Sequence, residues 1–241
     1  ITSTMQQEGI RKLRMSSQQV MRTAQRLYED GYITYMRTDS VTLSDEALTA
    51  SRNVIEKLYG KEFVPEKPNY YKNKVKNAQE AHEAIRPAGS KFIHPDTLKS
   101  KLGEREYKLY KLIWSRTIAC QMNSAKLLTT QIHITNNDFI FLAKGKTIKF
   151  DGYLKVYQDS NKDGDDIILP KLEKDERLRF DSAVAKEHTT KPIPRYTEAS
   201  LVKELETLGI GRPSTYASII STIINRGYVT RNKGTLIPTF T

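Results

Sequence analysis

A single cysteine, Cys120, stands in 241 residues. This excludes an internal disulfide and any cysteine-based zinc site, and it suits a reducing, cytoplasmic setting. No apolar run approaches the ~20 residues of a membrane span, and no signal-peptide pattern opens the chain. Ile1 is not a natural initiator, so the sequence reads as one that begins mid-protein. The four histidines, His82, His94, His133 and His188, are scattered without metal-ligand spacing. A glycine-rich phosphate loop is also lacking, which leaves nucleotide hydrolysis without a seat.

Acidic charge is in short supply. Lys plus Arg number 39 against 28 for Asp plus Glu, a net of +11. The excess is uneven: residues 1–150 carry +10, 151–185 carry −3 and 186–241 carry +4. A pI near 9.5 is the electrostatic footprint of a polyanion binder, with nucleic acid the leading candidate. The 38% hydrophobic and 28% charged content fits a soluble globular protein, and the length predicts two or three domains.

One stretch concentrates the chemistry: Gly31-Tyr32-Ile33-Thr34-Tyr35-Met36-Arg37-Thr38-Asp39-Ser40. If residues 34–39 are extended, the period of two places Tyr35, Arg37 and Asp39 on one face. A phenol, a guanidinium and a carboxylate together make a nucleophile, a phosphate clamp and an orienting group. Tyr35 is nevertheless one of 13 tyrosines, most of which serve packing or surface.

Around it the pattern predicts helices. Ser16 or Ser17 caps a helix over 16–30 whose apolar stripe is Val20, Met21, Ala24, Leu27 and Tyr28, closed by Gly31. Ser44 caps the next, with Asp45 and Glu46 in its first turn and Gly60 at its end. Residues 61–77, with Pro65, Pro68 and five lysines, read as a surface loop. Gln79-Glu80-Ala81-His82-Glu83-Ala84-Ile85-Arg86-Pro87 reads as a short helix stopped by proline, with His82 and Arg86 on one face. A long helix over 104–122 carries Tyr107, Tyr110, Trp114, Ile118 and Met122 as a core stripe.

From 126 to 180 the period changes to two. Asn136-Asn137-Asp138 signals one hairpin and Asp151-Gly152 another, so a β-rich hinge, arch or spacer is expected. Residues 159–165 match half of a calcium loop, but Pro170 occupies the position that needs a bidentate Glu; a solvated acidic turn is the better reading. After Lys191-Pro192-Ile193-Pro194, Thr197 caps a helix with Leu201, Val202, Leu205 and Leu208 facing inward. A Gly209-Ile210-Gly211 turn follows, then a helix opened by Ser214 or Thr215 and a basic hairpin. Together these spell a winged helix-turn-helix whose second helix offers a phosphate seat at its start.

These residues resemble a known family. The segment 31–40 resembles the active-site tyrosine motif of type IA DNA topoisomerases, and 79–87 resembles the family's histidine motif. Ile210-Gly211-Arg212-Pro213-Ser214-Thr215-Tyr216-Ala217 resembles its third motif. All three occur in the family's order, most like the bacterial topoisomerase I branch, with topoisomerase III and reverse gyrase the nearest alternatives. The resemblance implies a multidomain α+β architecture. A helical, winged-helix-like domain would carry the tyrosine over 1–123, a β-rich arch would span 124–191, and an incomplete winged-helix segment would span 192–241.

It also implies a mechanism. Tyr35 would cleave single-stranded DNA through a 5′-phosphotyrosyl link, a strand would pass, and the freed 3′-hydroxyl would reseal the break, relaxing negative supercoils without ATP. A free phenol is a weak nucleophile at neutral pH, so Arg37 would neutralise charge developing on the phosphate. His82 would contact the phosphate beside the scissile bond, with Arg86 assisting. Thr38, Asp39, Arg212, Ser214, Thr215 and Arg226 match positions that hold DNA. Mg²⁺ is implied, held by acidic residues of a Toprim domain that the visible chain lacks, so the chain alone is expected to bind single strands weakly and not to relax DNA. A cytoplasmic, nucleoid-associated location with no membrane partner follows. A non-enzymatic winged-helix DNA-binding protein is the alternative, with Tyr35 then a packing residue. A tyrosine recombinase would need its tyrosine near the C-terminus.

Overall fold

The computed structural model describes residues 1–72, 82–157 and 168–240. The start of the histidine motif, 79–81, the end of the expected surface loop, 73–77, and the acidic loop at 159–165 therefore lie outside the described residues.

Helix α1 spans Thr2–Leu13, and no apolar stripe announces it. Its buried face is polar, with Thr2, Ser3, Gln6, Gln7 and Glu8 turned inward beside Met5. Helix α2, Ser17–Glu29, begins at a complete capping box: Ser16 Oγ accepts from Gln19 N at 3.2 Å, and Gln19 Oε1 accepts from Ser16 N at 2.9 Å. Val20, Ala24 and Leu27 are fully buried, but Tyr28 is 42% exposed and so leaves the expected stripe. Gly9 marks where α1 and α2 approach most closely, since a Cβ there would sit 2.6 Å from Val20 Cγ2.

Helix α3, Asp45–Tyr59, is capped by Ser44 and ends at Gly60, whose φ of 107° favours glycine. A 3₁₀ turn, Lys61–Phe63, follows. After the short α4, Pro95–Leu98, helix α5 spans Glu104–Cys120. Tyr110, Trp114, Ile118 and, just beyond the helix, Met122 enter the core, whereas Tyr107 stays at its margin and reaches Asp96.

The middle of the chain holds less β structure than its periodicity suggests. Strand β1, Lys126–Asn136, pairs antiparallel with β2, Phe139–Phe150, around Asn137 at φ 52°. Among the described residues, 168–194 add no further strand. The Asp151-Gly152 signal opens a 3₁₀ turn, Gly152–Lys155, instead of a hairpin. The reason is tertiary: Tyr157 donates its phenol to Glu8 at 2.6 Å and accepts from Arg116 at 2.8 Å, with Lys12 Nζ 3.7 Å over its ring.

Helix α6, Glu198–Thr207, is capped by Thr197, and α7, Tyr216–Asn225, follows the Gly209–Gly211 turn. Strands β3, Val229–Asn232, and β4, Thr235–Pro238, form a hairpin. Val202, Leu205, Tyr216 and Ile220 make a small core; Leu208, expected to face inward, is 62% exposed beyond the end of α6.

Two compact units result. The described residues of 1–124, 152–160 and 195–241 form one; those of 125–151 and 161–194 form the other. The C-terminal helix pair thus belongs with the tyrosine-bearing helices and is not a separate body. Ser3 Oγ donates to Glu206 at 2.6 Å, Ser17 N donates to Glu198 at 2.8 Å, and Arg231 pairs with the same Glu198 at 2.5 Å.

Candidate active site

The last turn of α2 delivers the site. Asp30 N donates to Arg26 O, Gly31 turns the chain at φ 75°, and Tyr32 N returns to Leu27 O at 2.8 Å. Residues 32–40 bend and form no strand; their one ladder contact is the bridge between Ile33 and Pro87. The expected alternation survives as burial. Met36, Thr38 and Ser40 turn inward, while Tyr35 and Arg37 are exposed and Asp39 is half-buried between them and solvent.

Two clips hold this segment. Thr2 of α1 donates its hydroxyl to Met36 O at 2.7 Å and accepts from Thr38 N at 2.9 Å, and Thr2 N donates to Thr38 O at 2.9 Å. On the other side, Thr34 N donates to Arg86 O at 2.9 Å, Thr34 Oγ1 donates to Ala84 O at 2.8 Å, and Ala88 N reaches Tyr32 O at 2.9 Å. This second clip explains why residues 82–87 are irregular and not the expected short helix. The main-chain N–H and C=O groups of Ala84 and Arg86 are spent on Thr34 and Thr42, which diverts them from a local helix.

The clips bring the rings together. His82 is exposed, with its ring centroid 5.4 Å from that of Tyr35 and the planes 50° apart. Tyr28 meets Tyr35 edge-on at 5.3 Å. Tyr28, in the apolar stripe expected for this helix, instead faces outward onto Tyr35.

Arg86 corrects an expectation. Its side chain is 6% exposed and forks onto Glu83, Nε to Oε1 at 2.8 Å and Nη2 to Oε2 at 2.9 Å; Nη1 donates to Pro87 O and Gly89 O. A guanidinium with its donors committed inward has none to offer a phosphate. Glu83 in turn accepts from Ser44 N at 2.8 Å, so the pair ties the His82 segment to the start of α3. Burial alone would raise the Glu83 carboxyl, but Arg86 and Ser44 outweigh it and hold it below the usual carboxylate range. Thr38 is corrected likewise: it is 1% exposed and its hydroxyl accepts from Ser40 N, so it shapes the loop from inside.

The third motif presents its polar groups outward. Arg212, Ser214 and Thr215 are exposed before α7, and Arg226 is exposed at its end. Thr215 Oγ1 accepts from Arg212 N at 2.8 Å, which closes the turn, while Thr215 itself adopts helical angles as the cap residue. Tyr216, the first residue of α7, has its phenol pushed up by burial and by Glu206; Arg212 opposes this, and the Asp39 carboxylate lies close enough to add to it. Asp39 and the start of α7 are therefore in electrostatic reach of each other.

Among the described residues no group of three or more His, Cys, Asp or Glu side chains could hold a metal ion. Nor is any helix there long and apolar enough to cross a membrane. Tyr35, Arg37 and His82 are exposed, and the rings of Tyr35 and His82 face each other.

Comparison with known proteins identifies the family. The DNA topoisomerase family model matches residues 1–241. DNA topoisomerase 1 of Synechocystis is 52% identical over the whole chain, and that of Rickettsia conorii is 49% identical over 99% of it. The chain spans only 27% and 32% of those proteins. The crystal structure of full-length topoisomerase I from Thermotoga maritima superposes with a TM-score of 0.81 at 39% identity, covering 99% of this chain and 39% of that one. The chain belongs to the DNA topoisomerase family and corresponds to a part of the bacterial topoisomerase 1 (type IA) enzymes.

Proposed function

We propose that this chain is the strand-cleaving part of a type IA topoisomerase, with Tyr35 as nucleophile. The Tyr35 oxygen attacks a phosphodiester of single-stranded DNA; the P–O bond to the 3′-oxygen breaks as the new phosphotyrosyl bond forms on the 5′ side. The phenol gives up its proton and the departing 3′-oxygen gains one. The covalent ester conserves the bond energy, so resealing needs no nucleotide. Arg37, exposed two residues further on, neutralises charge that grows on the phosphate oxygens, and His82 contacts the neighbouring phosphate.

The observation that carries this reading is the pairing of an exposed tyrosine with an exposed histidine far away in sequence, fixed by two hydrogen-bonded clips. A DNA-binding protein without catalysis would give that pairing no purpose. The helix pair and hairpin of 196–240 act as a winged-helix module, with Arg212, Ser214, Thr215 and Arg226 along the backbone of the bound strand. Mg²⁺, held by the acidic residues of a Toprim domain, would supply screening of the phosphate charge, while Arg37 and His82 are this chain's own contacts to the phosphates. Negatively supercoiled DNA, rich in unpaired strand, is the substrate of the whole enzyme.

The test replaces the matching segment of the Synechocystis relative by this chain. With a 3′-labelled single-stranded oligonucleotide and Mg²⁺, the chimera is expected to yield a denaturant-stable protein–DNA adduct, and Tyr35→Phe to abolish it. An adduct that persists in the Phe variant would remove Tyr35 from the role.

A further inference from the structure

Resting on that cleavage reading, we infer that Tyr28 is a positioning residue that holds the Tyr35 ring in its attacking orientation. Tyr28 lies in the last turn of α2 and is 42% exposed, so the core does not account for it. The C-terminus of α2 does not account for it either, because main-chain bonds from Asp30, Gly31 and Tyr32 already close that end. What its ring does touch is Tyr35, edge to face, with centroids 5.3 Å apart and planes at 69°, the favoured geometry for an aromatic pair.

The hydrogen bonds around Tyr35 act on the backbone: Thr34 and Thr2 fix the chain on either side of it. They leave the side-chain torsions to the ring contacts. Among the described residues, one ring contact is His82, which is exposed and, in the cleavage reading, turns its polar edge to a phosphate. The other is Tyr28, whose own rotamer is limited by the helix that carries it. Tyr28 is thus the stiffer wall and remains in place while His82 engages DNA. Reaction rates depend steeply on such placement, because only near-attack geometries are productive. The role belongs to the ring face and edge; the Tyr28 hydroxyl is dispensable.

Two measurements test this. In the chimera with the Synechocystis relative, Tyr28→Ala is expected to slow single-turnover adduct formation roughly 2- to 12-fold, the range that loss of one aromatic pair allows. Affinity for an oligothymidylate stays unchanged, and Tyr28→Phe restores the rate. An unchanged rate in Tyr28→Ala, or a loss of affinity without a loss of rate, overturns the inference; the latter would make Tyr28 a base-stacking platform. A chimera that forms no adduct even with Tyr28 present counts against the cleavage reading instead. In that event ring-to-ring NMR contacts in the chain itself still decide the positioning claim. Tyr28–Tyr35 and Tyr35–His82 contacts are expected, and the latter should weaken in Tyr28→Ala. An absent Tyr28–Tyr35 contact, or a Tyr35–His82 contact that Tyr28→Ala leaves unchanged, overturns it.

Discussion

At the scale of single residues, burial separates two arginines that look alike in the sequence. Arg37 is exposed beside Tyr35, while Arg86 is spent on Glu83, Pro87 and Gly89. Arg86→Ala leaves the Glu83 carboxylate half-buried without its cation, and removing one partner of a buried pair is costly. Since Glu83 keeps 24% of its side chain exposed, solvent relieves part of that cost, and a loss of about 2 kcal/mol is expected from urea denaturation. The loss depends on pH in a fixed sense. The Glu83 pKa is lowered in the folded chain, so the pair's contribution is present above the ordinary carboxylate value of 4.5 and fades as pH falls through the lower folded value. The gap between native chain and Arg86→Ala should therefore narrow in acid. A variant of undiminished stability that has lost affinity for single strands would restore Arg86 to the phosphate.

At the scale of elements, what could be read from the sequence followed local signals. Helices α2 and α3 are legible because cap residues and apolar stripes coincide within one turn of their observed ends, and α5 is legible from its apolar stripe alone. Helix α1 gives no local signal because its buried face is made of Thr2, Ser3, Gln6 and Gln7, which follow no hydrophobic period. Residues 82–87 were misread for the opposite reason: proline and i,i+4 spacing imitate a helix end, while the partners that set the backbone, Thr34 and Thr42, are distant in sequence. The candidate site shares this division. Tyr35 and His82 could be named from their motifs, but the inward turn of Arg86 and Thr38 depends on tertiary bonds that no local pattern carries. The α1–α2 seam gives a prediction at this scale. Gly9→Ala improves helix propensity by up to ~1 kcal/mol, yet its Cβ would lie 2.6 Å from a methyl of fully buried Val20, whose β-branched side chain cannot swing aside within a helix. Overpacking should prevail, with a net loss of about 1–2 kcal/mol in chemical denaturation. A stabilised variant would show that the two helices separate without cost.

At the scale of the whole molecule, a surplus of +11 has to be divided between general attraction and specific seats. The folded arrangement makes that division measurable, because α7 belongs to the same compact unit as Tyr35, with Asp39 in electrostatic reach of its first turn. A strand held at Tyr35 and along α7 would be bound by Arg37, by Arg212 before that helix and by Arg226 at its end, all of them exposed. Each phosphate neutralised on a single strand contributes about −0.7 to the slope of log affinity against log salt. Three such contacts predict a slope of about −2, and Arg212→Ala should reduce its magnitude by about 0.7 while weakening binding to all sequences alike. Fluorescence anisotropy of a labelled oligothymidylate over a salt series reads both quantities. If Arg212→Ala lowers affinity at every salt concentration without changing the slope, Arg212 serves the turn through Gly209 and Gly211, to whose carbonyls it donates, and the strand is held elsewhere.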